Sequence, residues 1–120
     1  MSKKTLVLGA SLKEVRYSNM AIRRLRQNNV ETVAVGLREG SVLDVEIDTE
    51  NVPYKNIHTV TLYLNPTRQE PFYDYILSLN PSRVIFNPGT ENPEFYKILG
   101  DAGIEVDVAC TLILLSSNQY

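Results

Sequence analysis

Short continuous apolar runs alternate along the chain with longer stretches whose apolar positions recur at helical spacing. The first run, Thr5–Leu8, has the uninterrupted character of a strand buried on both faces. Met20, Ala21, Ile22 and Leu25 then form a stripe that carries a helix to about Gln27, with Ser18 as the expected N-cap. Thr32–Val35 reads as a second strand closed by Gly36, and Thr59–Leu64 as a third stopped by Asn65-Pro66. Between Leu37 and Ile57 the pattern loses regularity, and only Val42–Ile47 offers a short extra strand. Phe72, Ile76 and Leu79 share one face of a helix that opens near Pro71 and ends at Asn80-Pro81. Arg83–Phe86 is the fourth strand. Asn92-Pro93-Glu94 supplies an N-cap, a first-turn proline and an acid suited to the helix dipole. Phe95, Ile98, Leu99 and Ala102 continue that helix to Gly103, and Ile104–Val108 is the fifth strand. The tail Cys110–Tyr120, apolar and then polar, is left unassigned.

This alternation implies right-handed βαβ units and a doubly wound α/β domain over residues 1–120, its five-stranded sheet mainly parallel and covered by helices on both faces. Such sheets bind ligands outside the carboxyl ends of their strands, where the strand order reverses. With the order 3-2-1-4-5, the crevice falls between the first and fourth strands. Its walls are then Gly9–Tyr17 and Asn87–Glu91.

Composition narrows the partners. A net charge of −2 argues against duplex nucleic acid, which needs a basic face to displace counterions. No stretch approaches the ~20 apolar residues of a membrane span, and the opening MSKKTLVLGAS passes directly into Lys13, Glu14 and Arg16, so it reads as a strand and not a leader. One cysteine, Cys110, forms no internal disulfide and fits a reducing, cytoplasmic setting.

The chemistry concentrates after the first strand. Gly9-Ala10-Ser11 permits a sharp turn and close approach of backbone amides to a phosphate, with a helix amino end behind it. Lys13 and Arg16 add cations, and arginine binds phosphate in bidentate fashion. The dinucleotide fingerprint G-x-G-x-x-G is not met, because Ser11 and Glu14 stand in its later glycine places. The second strand ends in Val35-Gly36-Leu37-Arg38, without the carboxylate that holds a ribose in NAD sites. Arg38 there suits a ribose phosphate, which counts against NAD and leaves NADP or coenzyme A. Tyr17 is placed to stack on an adenine ring, and Pro66, Asn87 and Gly89 border the same rim.

The GAS turn, the Arg16-Tyr17-Ser18-Asn19 helix entry, Asn65-Pro66, Asn87-Pro88-Gly89 with Glu91-Asn92, and Cys110 together resemble the small stand-alone CoA-binding domain proteins. Those share a fold with the amino-terminal domain of the α subunit of succinyl-CoA synthetase. The resemblance runs from Thr5 to about Leu114 and rests on order and spacing. It implies a Rossmann-like sheet in which Gly9, Ala10, Ser11, Arg16, Tyr17 and Ser18 hold the CoA diphosphate. Arg38 then falls near the ribose phosphate, and Pro66 and Gly89 near the adenosine and pantetheine. The sequence departs from the relatives in having Gly36-Leu37-Arg38 where they often carry an asparagine–proline turn and a lysine. It also has Asn87-Pro88 where they often carry Gln or Glu before the glycine.

A catalytic set is harder to assemble. The only histidine, His58, precedes the third strand at the opposite edge of the sheet, and no H-x-x-x-H or C-x-x-C spacing suggests a metal. The expectation is therefore binding of CoA or an acyl-CoA, in a carrier, sensor or regulatory role without chemistry of its own. Two other readings stand beside it. One is an NADP- or other nucleotide-binding module; the other is an interaction protein with an empty crevice, dimeric through the apolar tail Leu112–Leu115.

Overall fold

The computed structural model describes residues 3–120. The elements follow the order β1 (Thr5–Ala10), α1 (Tyr17–Gln27), β2 (Thr32–Gly36), β3 (Gly40–Val42), β4 (Val45–Asp48) and β5 (Thr59–Leu62). They continue with α2 (Pro66–Gln69), a 3-10 turn (Glu70–Phe72), α3 (Tyr73–Leu79), β6 (Arg83–Phe86), α4 (Pro93–Asp101), β7 (Glu105–Val108) and α5 (Thr111–Ser116). The strands form one sheet of seven in the order β3-β4-β2-β1-β5-β6-β7. Every pair is parallel except β3 with β4, a hairpin that extends the sheet beyond β2.

The doubly wound α/β class is as expected, but the strand count and the neighbours of β1 are not. The weak Val42–Ile47 signal belongs to the hairpin, whose second arm, β4, lies parallel to β2. Counting β4 as the third parallel strand restores the order 3-2-1-4-5, with a sixth strand beyond. The fourth strand of that order is β5, however, and not Arg83–Phe86. β1 therefore has β5 as its neighbour, and β6 stands one place farther away.

Side-chain alternation sorts the core into two layers. Leu6 and Leu8 of β1 join Val60, Leu62, Val84 and Phe86 beneath α3 and α4, which contribute Ile76, Phe95 and Leu99. Val7 and Ala10 face the other way, onto Ile22 and Leu25 of α1 and Val42, Val45 and Ile47 of the hairpin. On β5 and β6 this second face is largely polar: Thr59, Thr61 and Arg83 are buried there, with Ile85 beside them. The tail covers them. Thr111 of α5 bonds Thr61 (2.8 Å), the Tyr120 hydroxyl bonds Thr5, and the Arg83 guanidinium lies 4.4 Å from the centre of the Tyr120 ring. Leu115 also packs inward on the α1 layer, while Ile113 stays exposed, so the Leu112–Leu115 stretch is split between core and surface.

One helix start differs from the sequence expectation. Arg16, not Ser18, occupies the N-cap position of α1, and no side chain caps it; Ser18 is buried inside the first turn. The helix expected to open near Pro71 is found, as the 3-10 turn leading into α3. The short α2 precedes it, its start capped by the Asn65 side chain, which accepts from the Arg68 amide at 2.9 Å. The Asn92 cap of α4 is found as read, accepting from the Phe95 amide at 3.2 Å.

Candidate functional site

The carboxyl ends of the parallel strands share one edge, and the chain leaves β1 toward β2 on one side while β5 flanks the other. The reversal point lies between β1 and β5. Gly9 makes it approachable. Its φ of +95° is a left-handed value that side chains disfavour, and a Cβ there would stand 3.0 Å from the Tyr63 carbonyl group. The same residue shifts the register of β1 on β2, so that Leu8 faces Val35 and Ala10 faces Gly36. Gly36 accepts this closeness only because it has no Cβ, which would meet the Ala10 carbonyl oxygen at 2.3 Å.

Beyond Ala10 the loop is held by backbone contacts. The Ser11 hydroxyl accepts from the Lys13 amide (3.1 Å), and the buried Asn19 side chain donates to the Ser11 carbonyl (2.9 Å). Arg23 in turn donates to Asn19 at 2.8 Å. Lys13, Arg16 and Tyr17 are exposed above this frame, and Leu12 packs its side chain against Gly40 of the hairpin. The arrangement gives a shaped backbone, an uncapped helix start and two cations at one spot. Arg38 is exposed in the loop after β2, on the hairpin side of the same edge.

The other wall is Asn65 and Pro66, at the end of β5, and both are exposed. This corrects the expected wall: Asn87–Glu91 follows β6, one strand beyond. Gly89 is exposed with φ +92°, and its amide donates to Glu91 at 2.8 Å. Asn87 is buried, and its side chain is fully engaged inside the protein. Its amide donates to Thr61 (2.7 Å) and the Leu62 carbonyl (2.9 Å), and its oxygen accepts from the Thr111 amide (2.8 Å). Asn87 thus ties β5, β6 and the start of α5 together and presents no free polar atom to a ligand.

Gln69 escaped the sequence reading. It is wholly buried, and the signal for it, a polar residue on the inward side of α2, is visible only once the short helix at Pro66 is recognised. Cys110 is half-buried at the start of α5, beside a hollow of about 140 Å³ lined by Phe86, Pro88, Glu91, Val108 and Ala109. A wider groove of about 310 Å³ lies between α1 and α5 and includes Met20, Arg24 and Ile113, away from the reversal point. His58 sits at the amino-terminal edge against Thr59 (2.7 Å), where burial, Arg83 and Lys3 hold its pKa below the usual histidine value. Burial pushes the Tyr63 hydroxyl up to about 12. Among the described residues no three His, Cys, Asp or Glu side chains cluster as a metal site would require.

Comparison with known proteins bears on the family and the fold. A family profile described as a CoA binding domain matches residues 3–116. A solved structure described as an uncharacterized protein superposes with a TM-score of 0.96 at 47% identity, covering 100% of this chain and 99% of the other. A protein from Thermus thermophilus gives 0.86 at 24% identity, over 99% and 91% of the two chains. A hypothetical protein from Pyrococcus horikoshii gives 0.85 at 22%, over 98% and 84%. The last two attest the fold alone. No curated protein matches the chain.

Proposed function

This chain belongs to the CoA binding domain family, and from that premise we propose that it holds CoA or an acyl-CoA with the diphosphate seated on the β1–α1 turn. Gly9, Ala10 and Ser11 bring the backbone to the bridge, the start of α1 at Tyr17 and Ser18 offers its amides, and Lys13 and Arg16 neutralise the charge. Arg38 receives the phosphate on the ribose, Tyr17 stacks on the adenine, and Pro66 and Gly89 border the uncharged arm. Asn87 acts by fixing the loops and not by touching the ligand. The role is that of a carrier, sensor or regulatory partner, without a reaction of its own.

The observation that carries this reading is the turn itself. At the reversal point of the sheet, a glycine with φ +95° precedes a helix start that no side chain caps, and two exposed cations flank it. A polyanion with a bridging diphosphate satisfies all three features. The β2 end favours a phosphorylated ribose over a free one, because Arg38 stands where NAD sites place a carboxylate.

Calorimetric titration with CoA, dephospho-CoA, NADP and adenosine diphosphate tests the assignment. CoA is expected to bind tightest, with dephospho-CoA weaker. A preference for NADP would replace the cofactor and keep the site. Equal weak heats for all four would leave only the interaction-protein reading.

A further inference from the structure

Gln69 lies where the two loops beside the crevice meet, and no part of it reaches solvent. Its amide donates to the Leu64 carbonyl (2.8 Å), just after β5, and to the Thr90 carbonyl (2.8 Å), in the loop after β6. Its oxygen accepts from the Asn92 side chain at 2.9 Å. Asn92 also donates to the Tyr73 hydroxyl (2.8 Å) and caps α4, while Tyr73 stacks on Phe95 with ring centres 4.1 Å apart. Thr90 closes the group by donating to the Asn87 carbonyl at 2.7 Å. One buried side chain therefore joins the end of β5, α2, the loop after β6 and the start of α4.

A buried amide with all these partners is not required for packing alone, since an apolar side chain of similar size would fill the same space. What it supplies is direction. The bonds to Thr90 and Asn92 fix the distance between two loops that belong to different strands, the bond to Leu64 anchors Gln69 in its own loop, and a partly satisfied group would be costly. The exposed tips of the loops it joins, Asn65-Pro66 and Pro88-Gly89, bear no charge and lie on the β5 and β6 side of the reversal point, with Arg68 farther along α2 and the Glu91 carboxylate engaged by the Gly89 amide. Lys13, Arg16 and Arg38 lie on or toward the β1 and β2 side. A ligand with a charged nucleotide end and an uncharged arm would therefore lay the arm across the loops that Gln69 holds.

We infer that Gln69 is a positioning residue that sets the spacing of the β5 and β6 loops and so selects ligands carrying the arm. This rests on the CoA reading above. It touches no ligand itself and acts through Leu64, Thr90 and Asn92.

The test compares CoA with the 3′-phosphorylated adenosine diphosphate that lacks the arm, by calorimetry on the full chain. Gln69→Met keeps the volume and removes the three bonds. Asn92→Asp keeps the cap on α4 but deletes the donors to Gln69 and Tyr73, and serves if the first variant folds poorly. Both are expected to weaken CoA by about tenfold while the armless nucleotide changes less than about twofold, because only the arm meets the displaced loops. Equal losses for both ligands, or unchanged CoA affinity in folded protein, would overturn the role of Gln69 and leave the CoA assignment standing. A wild-type protein that binds neither ligand would remove both.

Discussion

Replacing Gly36 by alanine isolates the closest backbone approach at the candidate site. The added Cβ would stand 2.3 Å from the Ala10 carbonyl oxygen, with the Ile47 side chain at 3.1 Å on its other side. Ordinary contact begins near 3.4 Å, so either β2 moves from β1 by about an ångström or the bulge at Gly9 reshapes. The obstacle is backbone and cannot rotate away. Overpacking of this kind costs about 1–3 kcal/mol, and the rigid partner places Gly36→Ala at about 3 kcal/mol. A domain of this size melts lower by about 3–6 °C for each kcal/mol, so a fall of about 9–18 °C is expected. Gly100→Ala is the control. Nothing lies within 4 Å of its Cβ, and it sits within α4, so that variant should gain about 0.5–1 kcal/mol. Urea unfolding of both variants beside wild type gives the comparison. A Gly36→Ala protein within about 0.5 kcal/mol of wild type would refute the tight pairing of Ala10 with Gly36 and, with it, the described shape of the turn.

Arg16→Ala should weaken CoA by about 1.5–3 kcal/mol, the worth of a charge-assisted phosphate bond, in a calorimetric titration; unchanged affinity would take Arg16 out of the site. Arg38→Ala should weaken CoA and leave dephospho-CoA as it was, and a parallel loss for both ligands would dissociate Arg38 from the ribose phosphate. His58 makes stability pH-dependent. Its pKa is lower when folded than the ordinary 6.5, so the unfolded chain binds more protons below that pH, and stability should be complete above it and decline as the medium acidifies. Urea midpoints between about pH 5 and pH 7.5 should show this, and His58→Gln should flatten the part of the slope nearest pH 6.5.

The strands with strong apolar runs were legible because burial on both faces leaves no polar position to confuse them. β4 was legible only as part of the short extra strand Val42–Ile47 and received no place in the sheet, since Val45-Glu46-Ile47-Asp48 alternates like the edge strand it nearly is. Leaving it out of the strand order displaced the crevice by one strand, from β5 to β6. The β1–α1 turn was readable because glycine, small residues and cations are local signals. The roles of Asn87 and Gln69 were not, because polar side chains at loop ends look alike until the contacts with Thr111 and Asn92 are known. Family resemblance pointed to the ligand class; the residues alone left NADP and CoA level.

The unequal coverings of the sheet have a consequence for how the molecule breathes. Lifting α5 and Tyr120 uncovers mainly threonines and an arginine that water would solvate readily, with Ile85 and Leu115 the apolar exceptions, whereas lifting α3 and α4 would strand phenylalanines and leucines. Partial opening should therefore start at the carboxyl-terminal segment, whose amides would exchange with deuterium ahead of those in the central strands. Because Thr111 is bonded to Asn87, each such excursion also loosens the loop after β6, so a bound arm and a closed tail would favour one another.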